Sequence, residues 1–164
     1  MMNKFFLMSC AALLAGCVGH YPQPAQTAPH ATLDAKWGNN NLMSGGFQAY
    51  WAYHDSHCQD TKNTGVLGRV SQSESEKNQF LVEPDRRIYL NALSSGTKQR
   101  EATDPSLIQR SCMNISSFIP EAGATYQITH SAPKSGCYLE VVDIKTGKAP
   151  ASLVIEPVTK ECGL

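Results

Sequence analysis

The chain has 164 residues, with 14 basic and 14 acidic side chains and a formal net charge of zero. Its length fits one ordinary domain. With no basic stripe or block of like charge, nucleic-acid binding has no electrostatic support. The N-terminus reads MMNKFFLMSCAALLAGC: a single Lys4, then an apolar run from Phe5 to Ala15 interrupted only by Ser9. That run has the length of a signal-peptide h-region and falls well short of the roughly twenty apolar residues that a transmembrane helix needs.

The run ends in Leu14-Ala15-Gly16-Cys17. These four residues resemble the bacterial lipobox, in which Leu, a small residue and Gly or Ala precede a cysteine. The resemblance implies transfer of diacylglycerol to the Cys17 thiol, cleavage between Gly16 and Cys17, and acylation of the new amine. One acyl chain binds a membrane marginally, at about 0.8 kcal/mol per buried methylene, whereas several anchor stably. Val18 stands where an Asp would favour retention at the inner membrane, so the resemblance implies the outer membrane, at its periplasmic face or at the cell surface. On this reading residues 1–16 are a signal peptide and Cys17 carries palmitate-type lipid.

Residues 17–32 hold three prolines and almost no large aliphatic side chains. Such a composition predicts an extended, flexible tether, leaving residues 33–164 as the folded domain. Within that domain no long stretch keeps a helical period. Phe47 to Tyr53 is aromatic-rich and follows Gly45-Gly46, which predicts a strand; Val66 to Val70 is a shorter one. Residues 71–78 read as a solvated loop. Phe80 to Val82 and Arg87 to Leu93 follow, separated by Pro84, and alternation places Ile88, Leu90 and Ala92 on one face. Residues 97–105 are polar and predict an exposed loop, and Ser106 to Gln109 a helical turn. Cys112 to Phe118, Ala124 to His130, Cys137 to Ile144 and Ala151 to Glu156 predict four more strands, with Tyr126, Ile128 and His130 on one side of theirs. Turn residues at Pro120–Gly123, Pro133–Gly136 and Lys145–Pro150 separate them.

Strands at this spacing predict a mostly β chain folded as a single antiparallel sandwich, with little helix beyond the signal peptide. The segment Phe118-Ile-Pro-Glu-Ala-Gly-Ala-Thr-Tyr-Gln-Ile resembles a piece of transthyretin-like and immunoglobulin-like envelope lipoproteins, in which a Pro/Gly turn precedes a strand opening on a buried Tyr. Over about a dozen residues that resemblance speaks to fold, and fold does not establish function.

Cys10 leaves with the signal peptide and Cys17 carries lipid, which leaves Cys58, Cys112, Cys137 and Cys162. An even count in an exported chain predicts two disulfides. Four cysteines allow three pairings. If the chain reverses near Gly147, Cys162 returns beside Cys137, which favours Cys137–Cys162 together with Cys58–Cys112. No C-x-x-C spacing supports a metal site.

His54-Asp-Ser-His57-Cys58 is the densest cluster of reactive types, and His54 and His57 are the metal-ligand candidates. Their spacing matches no metal template, so the expectation is a polar strand end or turn without metal or cofactor. No G-x-S-x-G, P-loop or Gly-x-Gly-x-x-Gly occurs, and no catalytic residue is assigned. Tyr50, Trp51 and Tyr53 are candidate partner contacts because Trp and Tyr are enriched at interface hot spots, but such residues are also common in sandwich cores, and core packing is the stronger expectation for them. Tyr50, alternating against Ala49 and Trp51, is the one expected to be exposed. The resulting expectation is a non-enzymatic, membrane-anchored binding or assembly module that meets an envelope protein or polymer. The alternatives are a lysozyme or protease inhibitor lipoprotein and, below it, an envelope hydrolase.

Overall fold

The computed structural model describes residues 19–40, 44–60, 65–71, 78–101, 104–133 and 136–162. The expected signal peptide, Cys17 and most of the expected 71–78 loop lie outside the described residues. Nine strands follow in order: β1 (Ala31–Asn40), β2 (Ser44–Tyr53), β3 (Gly65–Ser71), β4 (Gln79–Val82), β5 (Ile88–Glu101), β6 (Asp104–Phe118), β7 (Thr125–Ala132), β8 (Tyr138–Asp143) and β9 (Val154–Glu156). They form a four-stranded sheet, β4-β1-β7-β8, and a five-stranded sheet, β3-β2-β5-β6-β9. The chain is a mostly β, two-sheet sandwich, as its strand spacing predicts.

The core lies between the sheets and follows from period-two alternation. Ile88, Leu90 and Ala92 of β5 and Tyr126 and Ile128 of β7 all point into it, together with Leu33, Val70, Val82 and Phe118. All the neighbouring strands pair antiparallel except β1 and β7, which run parallel with a register shift between Trp37 and Asn40. The antiparallel expectation therefore fails at one pair. Strand β1 itself had no prediction, because ATLDAKWGNN mixes polar and small residues.

Two further expectations are corrected. Residues 97–101 and 104–105 and the helical turn at Ser106 to Gln109 are in fact the continuation of β5 and β6, paired from Ile88↔Phe118 out to Glu101↔Asp104. Cross-strand hydrogen bonds supply there what the polar side chains do not announce. The final hairpin also differs. The chain does turn after β8, where Asp143 accepts from Lys145 N at 2.7 Å and Gly147 N donates to Asp143 O at 2.8 Å. But β8 pairs with β7, and β9 crosses to the other sheet to pair with β6.

That crossing overturns the favoured disulfides. The bonds are Cys58–Cys162 and Cys112–Cys137, not Cys58–Cys112 and Cys137–Cys162. Cys137, just before β8, faces Cys112 of β6 across the sandwich. Cys162 is carried past β9 to the outer face of the five-stranded sheet, where it meets the loop after β2.

The flexible tether is likewise corrected over its described part. Gly19 O accepts from Val66 N at 2.9 Å, and Tyr21 N donates to Val66 O at 3.0 Å, with His20 bridging parallel to Val66. Tyr21 is buried in the main core, and its hydroxyl accepts from Glu83 N at 3.1 Å. Gln23 Oε1 accepts from Leu81 N at 2.8 Å. Gly65, with φ of 143°, lies so close to Gly19 O that a Cβ there would collide with it. A low-aliphatic composition reads as a tether, yet one tyrosine and the backbone suffice to dock the arm. Ala31 and Thr32 already belong to β1.

Candidate functional site

The expected contact residues of β2 divide between two buried faces. Tyr50 is fully buried between the sheets at 0% exposure, and Trp51 and Tyr53 are each 8% exposed on the opposite face. The expectation that Tyr50 is exposed is corrected. Alternation held, but the outer face is covered too. Trp51, Tyr53 and Ala49 form a second cluster with Phe47, Cys58, Val66, Tyr89 and Leu93.

The covering element is the loop that carries the reactive cluster. Asp55 organises it: its carboxylate accepts from the backbone of His57 at 2.9 Å, Gln59 at 3.1 Å and Asp60 at 2.8 Å. Burial works to raise the Asp55 pKa, but these three donors outweigh it and hold the carboxyl below its ordinary value. Cys58 adopts a φ of 56° and is bonded to Cys162. Asn91 Nδ2 points at both, 3.6 Å from Cys58 Sγ and 3.5 Å from Cys162 O, while its Oδ1 has no partner. The structure separates His54 from His57. His54 turns its Nε2 towards Glu83, 3.4 Å away, and His57 is exposed. Among the described residues, no group of three metal-ligating side chains converges.

A buried polar junction escaped the sequence reading. His130, at 0% exposure, lies within 2.7 Å of Ser94 Oγ through Nδ1 and 3.0 Å of Asn114 Oδ1 through Nε2. A carbonyl oxygen can only accept, so Nε2 carries the proton and Nδ1 accepts from the Ser94 hydroxyl. His130 N donates to the Tyr50 hydroxyl at 3.2 Å. Gln48 Nε2 donates to His130 O at 2.6 Å, and Gly38 N donates to Gln48 Oε1 at 3.1 Å. Burial lowers the His130 pKa to about 4 and raises that of Tyr50. Ser94 and His130 echo a hydrolytic pair, but Ser94 is 1% exposed, so no substrate reaches its hydroxyl in this conformation. The junction ties β1, β2, β5, β6 and β7 together.

Large apolar side chains face solvent at Ile119, Tyr138 and Ile144 and around β9, where Ile155 is the most exposed of them. Val154 and Ile155 of β9 are 46% and 80% exposed, and nearby Val158 is 50% exposed. Strand β9 is terminal in its sheet, so one row of backbone donors and acceptors faces outward. Polar contacts hold it in place. Arg87 Nη1 donates to Ser117 Oγ at 2.9 Å and to Ser152 O at 3.1 Å, and Ser117 Oγ donates to Glu156. Its aliphatic side chains are thus left over for solvent or a partner. A shallow cleft of about 340 Å³ lies between residues 121–125 and Asp143, Ile144 and Lys145, and none of the expected site residues lines it.

Comparison with protein-family models, with curated proteins and with solved structures gives no match.

Proposed function

We propose that this protein is a bacterial envelope lipoprotein, cut before Cys17, acylated there and held at the outer membrane, whose β domain is a non-enzymatic binding or assembly module. The four-residue match Leu14-Ala15-Gly16-Cys17 at the end of a short apolar run supports the anchor. The two disulfides indicate an oxidising, extracytoplasmic compartment, which agrees with export. No helix among the described residues is long and apolar enough to cross a membrane.

The observation that carries the binding reading is the terminal strand β9, with Ile155 at 80% exposure between Val154 and Val158. An apolar edge strand is a template for strand addition by a partner, and leaving it bare invites aggregation. Cross-linking in native membranes followed by purification tests this. A specific envelope protein should be recovered with the unaltered chain, with Ile155→Asp lowering its yield about tenfold, as the loss of one apolar hot spot would. Equal recovery with the variant would remove β9 as the contact.

One feature favours the inhibitor reading instead. Among the described residues the pairing of β5 with β2 reaches Thr97, while β5 and β6 run on together to Glu101 and Asp104. Ser106, Gln109, Arg110 and Ser111 of this ribbon are exposed. A two-stranded arm is a shape that can enter an active-site cleft. Inhibition of a lysozyme panel at stoichiometric dose tests it, and unchanged turnover would dismiss the lysozyme form of the idea.

A further inference from the structure

The docked N-terminal arm fixes how the domain meets the membrane. The inference rests on the lipoprotein reading of Cys17 and goes beyond it. Gly19 and Tyr21 are hydrogen-bonded to Val66 of β3, and Gln23 and Tyr21 reach on to Leu81 of β4 and to Glu83 just after it. Strands β3 and β4 are the terminal strands of the two sheets on one side of the sandwich. The arm therefore runs across both edges and occupies backbone groups that would otherwise be open to another chain. Tyr21, 5% exposed, locks it there.

Only two peptide units separate Cys17 from Gly19, and two residues span at most about 7 Å. On the lipoprotein reading, the Cys17 backbone must then lie within that reach of Gly19 at the β3 edge, and the glyceryl thioether that carries the acyl chains begins only a few bonds beyond. We infer that the domain sits flush on the bilayer, with its β3–β4 side against the headgroups and its β8–β9 side turned away. The five-stranded sheet alone sets β9 four strand spacings from β3, about 19 Å at about 4.8 Å per spacing. The exposed Val154 and Ile155 thus face the compartment, and the lipid surface is the partner of the opposite edge. The arm is a rigid mount, where its composition alone reads as a long leash.

The test uses the acylated chain, purified from membranes and reconstituted into phosphatidylethanolamine/phosphatidylglycerol vesicles with acceptor-labelled headgroups in the outer leaflet. A donor dye is placed through an azide-bearing residue at exposed Gln79 on β4 in one sample and at Ile155 on β9 in another. Energy transfer from position 79 should exceed that from 155 about twofold or more, given the about 19 Å between edges. Inserting a Gly/Ser linker of about 12 residues between Val18 and Gly19 adds roughly 20 Å of reach and should bring the two signals together. Tyr21→Ala should narrow the difference while leaving vesicle binding intact. Equal transfer from both positions in the acylated, vesicle-bound chain would overturn the flush orientation alone. Recovery of the chain with an unmodified Cys17 thiol would overturn the lipoprotein reading and the orientation with it.

Discussion

At the residue scale, His130 makes the domain sensitive to acid. Its imidazole is buried and neutral, with Ser94 and Asn114 as partners. Among the described residues, the only other titratable group hydrogen-bonded at this junction is Tyr50, itself uncharged. Its folded pKa of about 4 lies below the value of about 6.5 expected in the unfolded chain. The unfolded state therefore takes up the proton first, and stability rises with pH between the two values. The His130 contribution is complete above about pH 6.5 and is lost progressively down to about pH 4. At about 1.4 kcal/mol per tenfold change in proton affinity the loss approaches about 3 kcal/mol. Urea denaturation at pH 7.5 and 4.5 should show that slope, and His130→Asn should flatten it. A slope unchanged in the variant would assign the effect elsewhere. Asp55 acts lower on the scale: its depressed carboxyl contributes stability above its unfolded pKa that disappears only as pH falls through the folded one. Gly38 guards the same junction, since a Cβ there would run into the His130 carbonyl. Gly38→Ala should cost about 2 kcal/mol or more, measured as a lowered urea midpoint at constant slope.

At the element scale, the two disulfides do different work. Cys58–Cys162 closes 104 residues of chain and Cys112–Cys137 closes 25. Chain-entropy arguments give about 4.7 and about 3.5 kcal/mol respectively. Replacing Cys58 and Cys162 together by Ser should therefore cost about 1 kcal/mol more than replacing Cys112 and Cys137. It should also red-shift Trp51 emission, because the Cys58 loop covers that ring. A larger loss from the second pair would contradict this account. The pairing was illegible in the sequence because it depends on which sheet β9 joins. Turn residues at Lys145 to Pro150 announce a reversal of direction and carry no information on the sheet. Strand identity was far more legible: Ile88, Leu90 and Ala92, or Tyr126 and Ile128, alternate cleanly and are buried as that alternation predicts. Polar strands were not legible. β1 and the outer halves of β5 and β6 are held by ladder hydrogen bonds, which any residue but proline can make. Gln48, Ser94 and His130 were hidden for a related reason. A polar side chain reads as surface until its partners on other strands are known.

At the scale of the whole molecule, the sandwich has two unlike sides. One pair of edges is closed by the chain's own N-terminal arm; on the other, β9 presents aliphatic side chains to solvent. On the proposed lipoprotein reading, a domain that closes the edge next to its anchor and leaves the far edge apolar is polarised for capture away from the membrane. On that reading the anchor is dispensable for folding and essential for placement. Among the described residues the first interstrand contact is at Gly19, and Cys17 takes no part in either disulfide, so Cys17→Ala should leave the urea midpoint and both disulfides unchanged. Fractionation should find the same variant in the soluble periplasmic pool, or retained with its signal peptide as a larger species. Recovery of Cys17→Ala in the membrane fraction at the mobility of the processed chain would show that something other than acylation holds it there. The lipid would then no longer explain why the two sides of the sandwich differ.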